Sequence, residues 1–453
     1  MTEADLRTLP PSRGGRSRAF RPSVGVIPGL VVVAAMWVSY IGAAAYVQLA
    51  ELDRENPFTA VWAAFSPLGS AEIMLVASAG AMLACLFPSA GPGLSEARDL
   101  LESSFRGRVG LWFLTAVVAI SLMAIAKGPY LMEASNYLQS SAPSIVVSAA
   151  NLSAPIAALS AGVVFASRRV MGSLLFVVVL VVLFAYGTRF LGVAPMIFVA
   201  GQMMGGIRTR LFLRWAVAVV SAALLIIVPL HTRGLSAHGL IPYARDIVEN
   251  GISYSGDSFL RVVGNIGFTA PIAEFTAERG AFPPEAIWAA LNPSPSDSAG
   301  WAAWAPLMRA HFYIPYSMIG EFASLGYVWL FLAMFVWSLL CRLALSYLSS
   351  RRTQLAGFLL LVSAGLISMS ALYLLQYNTR SVTRILSLVG LVVLIAWIES
   401  LFVRSPRNAR TLSDPSSEKW NASPAASCRE HLGRTSSRRG TGRVGRRQYR
   451  RRA

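Results

Sequence analysis

Ten runs of about 17 to 25 mostly apolar residues, seven before and three after one long mixed segment, constrain this chain more than any other feature. The hydrocarbon core of a bilayer is about 30 Å thick and takes roughly 20 helical residues to cross, so each run is long enough to span it. The runs are Ile27–Leu49, Ser70–Phe87, Val109–Ala126, Ser144–Ala166, Val170–Tyr186, Phe190–Ile207, Trp215–Leu230, Ile319–Leu340, Leu355–Leu375 and Ile385–Phe402. They predict an all-α polytopic integral membrane protein of about 10 transmembrane helices. Residues 231–318, between the seventh and eighth runs, form its one large segment outside the membrane.

Composition agrees with that class. Hydrophobic residues make up 55% of the chain and charged residues only 14%, where soluble proteins carry roughly a quarter charged. A net charge of +18 invites a nucleic-acid partner until it is mapped. From Arg404 onward 14 basic and 3 acidic residues give +11 to the tail alone. A basic tail beside a last span belongs near anionic lipid head groups in the cytosol, and no folded basic domain accompanies it, so no nucleic-acid partner is expected. With the N-terminus inside, 16 arginines ahead of the tail fall in cytosolic segments. The short outer loops hold five basic residues, Arg54, Lys127, Arg189, Arg380 and Arg384. The positive-inside bias therefore predicts a multi-pass protein of the cell membrane with both termini cytosolic.

Three regions follow. Residues 1–23 read as a disordered cytosolic N-terminus, 24–403 as the transmembrane domain and 404–453 as a disordered Arg-rich cytosolic tail. No cleavable signal peptide is expected, because the first apolar run is too long for one. A segment of the length of 231–318 is rarely structureless, and its pattern predicts short helices folding back over the membrane. Asp257-Ser258 is placed to cap a helix with Phe259, Val262, Val263 and Ile266 on one face, Pro271 interrupts it, and Pro283-Pro284 opens another short helix. Asn292–Trp301 reads as turn and loop.

Few residues are equipped for chemistry. The spans hold almost nothing ionisable beyond Glu72, Glu321 and Glu399 near their ends, which disfavours an ion-coupled transporter. No phosphate-binding glycine loop, nucleotide fingerprint or metal-ligand cluster occurs, and His231 and His238 sit too loosely spaced to argue for zinc. Neither a cofactor nor a metal is expected. What the outer segments do carry is arginine. Arg189 lies at the tip of a tight turn between two spans, against the positive-inside bias, and Arg233, Arg245, Arg261, Arg279 and Arg309 follow in the long segment. A guanidinium presents a planar fork of donors that matches phosphate oxygens in pairs. The plainer role for such arginines is pairing with Asp246, Glu249, Asp257, Glu274 or Glu278. His311 is the candidate general base. Glu321 is a candidate for the site or, more plainly, for a helix N-terminus. Gly320 and Gly326 lie six apart, near one helix face suited to close approach.

The stretch Asn292–Trp301 followed by Arg309–Phe331 resembles the end of the large periplasmic loop in Wzy-type O-antigen polymerases, the bacterial oligosaccharide repeat unit polymerases. Those proteins share an N-P-x-P turn, a G-W, and a run into the next helix that here is Pro315, Ser317, Gly320, Glu321, Phe322 and Gly326. YGTRF around Arg189 resembles the step that opens a mid-chain helix in the same group. The resemblance implies a metal-independent glycosyltransferase that joins undecaprenyl-pyrophosphate-linked oligosaccharides at the outer face of the cytoplasmic membrane, alongside a chain-length regulator. It implies Arg189, His311 and Glu321 as catalytic candidates and Arg233, Arg261 and Arg309 as substrate-binding ones. A flippase of lipid-linked saccharide and an O-antigen-ligase-like transferase remain the alternatives. The ligase is the less favoured of the polymer-building pair, because Phe312 rather than asparagine follows His311.

Overall fold

A computed structural model describes residues 23–50, 57–87, 93–105, 108–136, 139–207, 209–252, 254–294, 298–309, 316–351 and 355–403. Of the two predicted disordered ends, residues 1–22 of the segment 1–23 and all of 404–453 lie outside them. Among the described residues every regular element is a helix, with two isolated bridges, Ser23 to Gly93 and Ala134 to His238. Long apolar segments leave the backbone no other partner than itself, and helices meet that demand within the segment.

The first half runs α1 (Ile27–Leu49), α2 (Pro57–Ala63), α3 (Pro67–Leu86), α4 (Leu94–Phe105), α5 (Val109–Lys127), α6 (Ser144–Ser167), α7 (Arg169–Ala185) and α8 (Phe190–Met204). Then come α9 (Leu211–Leu225) and α10 (Ile227–Thr232), which together make one apolar rod. The long segment holds α11 (Leu240–Asn250), α12 (Gly256–Gly267), α13 (Thr269–Glu278), α14 (Pro284–Leu291), α15 (Trp301–Met308) and α16 (Met318–Ala323). The chain closes with α17 (Tyr327–Ser349), α18 (Ala356–Gln376) and α19 (Thr379–Val403). Among the described residues eight stretches are long and apolar enough to cross a membrane, while α7 and α8, at 17 and 15 residues, are shorter apolar helices. The protein is therefore a polytopic α-helical membrane protein.

Several predicted boundaries move, each for a local reason. α8 stops at Met204 rather than Ile207 because Gly205 caps it and Gly206 turns left-handed at φ 97°. The eighth run does not begin at Ile319. Residues 318–323 form a separate short helix, and Gly326 at φ 112° breaks the chain before α17 starts at Tyr327. Gly320 and Gly326 consequently do not share a helix face. The cap of α12 is Ser255, whose hydroxyl accepts from the Ser258 N–H, rather than Asp257-Ser258.

Small residues set the closest crossings, as expected where lipid supplies no hydrophobic drive between helices. α6 and α8 touch through Gly162 and Gly201. A Cβ added to the first would stand 2.2 Å from the Phe198 carbonyl oxygen, and to the second 2.2 Å from that of Leu159. α12 lies on α1 in the same way. The Ser39 hydroxyl donates to the Gly267 carbonyl at 3.1 Å, and a Cβ on Gly267 would meet the Ala43 nitrogen at 2.4 Å. Gly267→Ala is therefore expected to push α12 off α1 and to cost about 1–3 kcal/mol, seen as a lower thermal midpoint of the detergent-purified protein. Gly256→Ala, where an added Cβ meets nothing within 4 Å, is the control and should leave the midpoint unchanged. Equal midpoints for both variants would refute the close-crossing account.

The segment between α10 and α17 is tied to the span ends on one side of the bundle, which we call the loop face. Trp62 of α2 lies between Tyr46 and Phe268, with ring centroids 4.4 and 5.4 Å away. The Glu274 carboxylate on α13 accepts from the Ser66 N–H at 2.9 Å and the Ser70 hydroxyl at 2.5 Å, at the N-terminus of α3. That is where the helix dipole favours a negative charge. The Gln376 amide, at the end of α18, donates to the Asn265 carbonyl at 3.3 Å.

Candidate functional site

Two groups of polar side chains stand on the loop face. The first is built where α5, α7, α8, α10 and α11 end or begin. α7 and α8 are joined by Tyr186–Arg189, and the sharpness of that turn depends on Gly187 in the left-handed region at φ 60°. A Cβ there would stand 2.8 Å from the Tyr243 hydroxyl, so the glycine also lets α11 close on the turn. Arg189 occupies the N-cap position of α8 and is half-buried. Arg233, just past α10, donates from Nε to the Gly187 carbonyl at 3.2 Å. The two leading arginine candidates are thus brought to one turn, although 44 positions separate them in the chain.

Three further residues complete this group. Lys127, the last residue of α5, is buried, donates to the Gln139 carbonyl at 2.9 Å and lies 5.2 Å above the Tyr186 ring. Tyr243 is fully buried, and its hydroxyl meets His238 Nδ1 at 2.9 Å. Paired backbone bonds between Ala134 and His238, both 2.8 Å, strap the segment after α5 to the entry of α11. Burial, and then the charge of Lys127, hold His238 below the ordinary imidazole range, so it stays neutral. Burial likewise raises Tyr243. Beside them His231 Nε2 meets Asp246 Oδ2 at 2.8 Å.

The second group surrounds the motif that carries the resemblance. Ser317 caps α16 by accepting from the Gly320 N–H at 3.1 Å. Gly320 is small because α13 passes there, and an added Cβ would stand 2.6 Å from the Ala273 carbonyl oxygen. Glu321 is completely buried. Its Oε2 accepts from the Thr379 N–H at 2.9 Å and the Thr379 hydroxyl at 2.6 Å, so it serves the first turn of α19 as well as lying in that of its own helix. Desolvation pushes its pKa up to about 7. The Asn292–Ser294 turn is gripped by α19 too. Arg380 donates to the carbonyls of Ala289 at 2.6 Å, Asn292 at 2.7 Å and Ser294, and Arg384 adds a 3.2 Å bond to Ser294.

The remaining candidates separate. Arg309 lies 5.5 Å over the Tyr316 ring, beside the second group. Arg261 is on the exposed side of α12, and its guanidinium bonds to no described residue. His311 lies outside the described residues. Asp246 and Glu274, offered as arginine partners by the sequence, bond instead to His231 and Asn250 and to Ser66 and Ser70. Sequence reasoning passed over Lys127, His238 and Tyr243. Lys127 did carry the signal that singled out Arg189, a positive charge on the less basic side. His238 and Tyr243 gave none, because their pairing depends on how the chain turns after α10.

No protein-family model, curated protein or solved structure matches the chain.

Proposed function

We propose that this protein is a metal-independent glycosyltransferase that polymerises lipid-pyrophosphate-linked oligosaccharide repeat units at the outer face of the cytoplasmic membrane. The observation that carries the reading is the bond from Arg233 to the Gly187 carbonyl, which brings a second guanidinium to the turn bearing Arg189 at the membrane boundary. In the reaction an acceptor sugar hydroxyl attacks the anomeric carbon of the growing chain, and the bond from that carbon to its pyrophosphate breaks. Negative charge builds on the leaving lipid pyrophosphate, where fixed arginine donors stabilise it most. The donor is already activated by that leaving group, so the step calls for neither nucleotide sugar nor metal. The excess of arginine in the segments assigned to the cytosol supports placing the loop face outside and both termini inside. Undecaprenyl-pyrophosphate-linked oligosaccharides are then the substrates, and a chain-length regulator is the expected protein partner.

The test is the purified protein in lipid nanodiscs, given one lipid-pyrophosphate-linked repeat unit. A ladder of oligomers supports the reading. A single transfer to another acceptor would make the protein a ligase. No change in glycan size, together with movement of the lipid-linked unit across proteoliposomes, would make it a flippase and end the proposal.

A further inference from the structure

We infer that His231, held by Asp246, is the general base of the transfer. The inference rests on the glycan-transfer reading above. His231 sits in the last turn of α10 and Asp246 in α11, 15 residues on, with Nε2 and Oδ2 2.8 Å apart. The second carboxylate oxygen, Oδ1, accepts from the Asn250 amide at 2.8 Å, one helical turn along. Asn250 first, and then His231, hold the Asp246 carboxyl below its usual range, so the carboxylate stays charged. A carboxylate at Nε2 requires that nitrogen to carry the proton, which leaves Nδ1 of the neutral ring as a lone-pair acceptor. Nδ1 bonds to no described residue, and the imidazole side chain is 33% exposed against 13% for the carboxylate. The ring is therefore oriented from behind and open in front, which a merely structural staple does not require.

Position supports the same role. Arg233, two residues on, is the residue that reaches the Gly187 carbonyl next to Arg189. A base and one of the two arginines that receive the pyrophosphate thus leave the same end of α10, and the second arginine stands on the turn that Arg233 reaches. In the step the acceptor hydroxyl oxygen forms the new bond to the anomeric carbon and gives its proton to His231 Nδ1. The bond from that carbon to the pyrophosphate oxygen breaks, and its electron pair leaves with the lipid pyrophosphate. The imidazolium is stabilised by Asp246 and returns its proton to water through the exposed edge. His238 cannot take this part, because it is buried and its Nδ1 is engaged by Tyr243.

The experiment is the nanodisc extension assay with the full chain. In His231→Gln the side-chain amide still donates to Asp246 but cannot accept a proton. It is expected to lower kcat about 100-fold or more with KM changed less than about threefold. Asp246 is a positioning residue, and Asp246→Asn should lower kcat about tenfold or more with KM held, by favouring the wrong tautomer. His231→Ala should regain activity with added imidazole, which loss of a staple would not allow. Wild-type kcat in His231→Gln overturns the assignment. If that variant fails to purify as a single species, the imidazole experiment decides, and no rescue overturns it. A wild-type protein that makes no polymer removes the transfer reading and this inference with it, whereas a normal ladder from His231→Gln removes the inference alone.

Discussion

Arg189→Lys is expected to slow chain extension about 10- to 150-fold while leaving the protein folded. A guanidinium grips a phosphate through two parallel donors, and lysine keeps the charge but loses the fork. Each charge-assisted bond is worth roughly 1.5–3 kcal/mol, and a factor of ten in rate corresponds to about 1.4 kcal/mol. Folding should survive, because Arg189 stands at the N-cap of α8 and the turn before it is made by Gly187. Arg233→Lys should fall in the same range, since it loses the planar Nε–H that fixes the side chain to that turn. Arg279→Lys is the comparison. Arg279 donates to the carbonyls of Leu307 at 3.3 Å and Arg309 at 2.7 Å, at the end of α15, where a lysine still complements the helix dipole. It should retain near-wild-type extension. A normal polymer ladder from Arg189→Lys would remove that residue from the site.

The parts of this fold that the sequence disclosed are those decided by length and apolarity. α1, α3, α5, α6 and α18 fall within a few residues of the apolar runs, and α12 and α14 fall where the apolar face from Phe259 to Ile266 and Pro283-Pro284 put them, whereas α11 and α15 had no prediction. The parts it hid are set by backbone conformation at single residues. Nothing in the run 319–340 reports that Gly326 turns left-handed and splits it, because a glycine inside a mostly apolar run reads the same whether the helix continues or stops. The site divides along the same line. Arg189 was legible because a charge in a tight turn between spans contradicts the orientation of the rest. The His231–Asp246 and His238–Tyr243 contacts were not, since they require the turn after α10 to bring α11 back across α7. Arg380 and Arg384 were read only as charges in a short loop. Their work, gripping the turn at Asn292–Ser294, becomes visible once α19 is seen to start at Thr379 rather than Ile385.

Those contacts make the junction of α16 with α19 a pH-sensitive fastening, and its behaviour follows from one carboxyl. Glu321 is fully buried, and its Oε1 has no described partner. Desolvation raises its pKa from 4.5 to about 7. Below about pH 4.5 the carboxyl is protonated both folded and unfolded, and the full stability is present. As pH rises toward 7 the unfolded chain gives up this proton while the folded chain keeps it, so the folded state loses stability. Above about 7 both forms are ionised and the loss levels off. The total is about 3 kcal/mol, an order-of-magnitude figure. Glu274, also raised by burial, responds in the same sense, whereas His238, lowered by burial, gains stability as pH rises toward 6.5 and offsets part of the loss. The purified protein is therefore expected to unfold at a higher temperature at pH 5 than at pH 8. Glu321→Gln keeps an oxygen for the Thr379 N–H and hydroxyl but cannot ionise. It should shrink the difference between the two pH values and match or exceed the wild type at pH 8. Glu321→Ala should instead lose stability at both, by about 1–3 kcal/mol, because the Thr379 N–H is left without its acceptor. A Glu321→Gln protein with the wild-type pH dependence would show that another group titrates, and would leave Glu321 a simple hydrogen-bond acceptor at the start of α19.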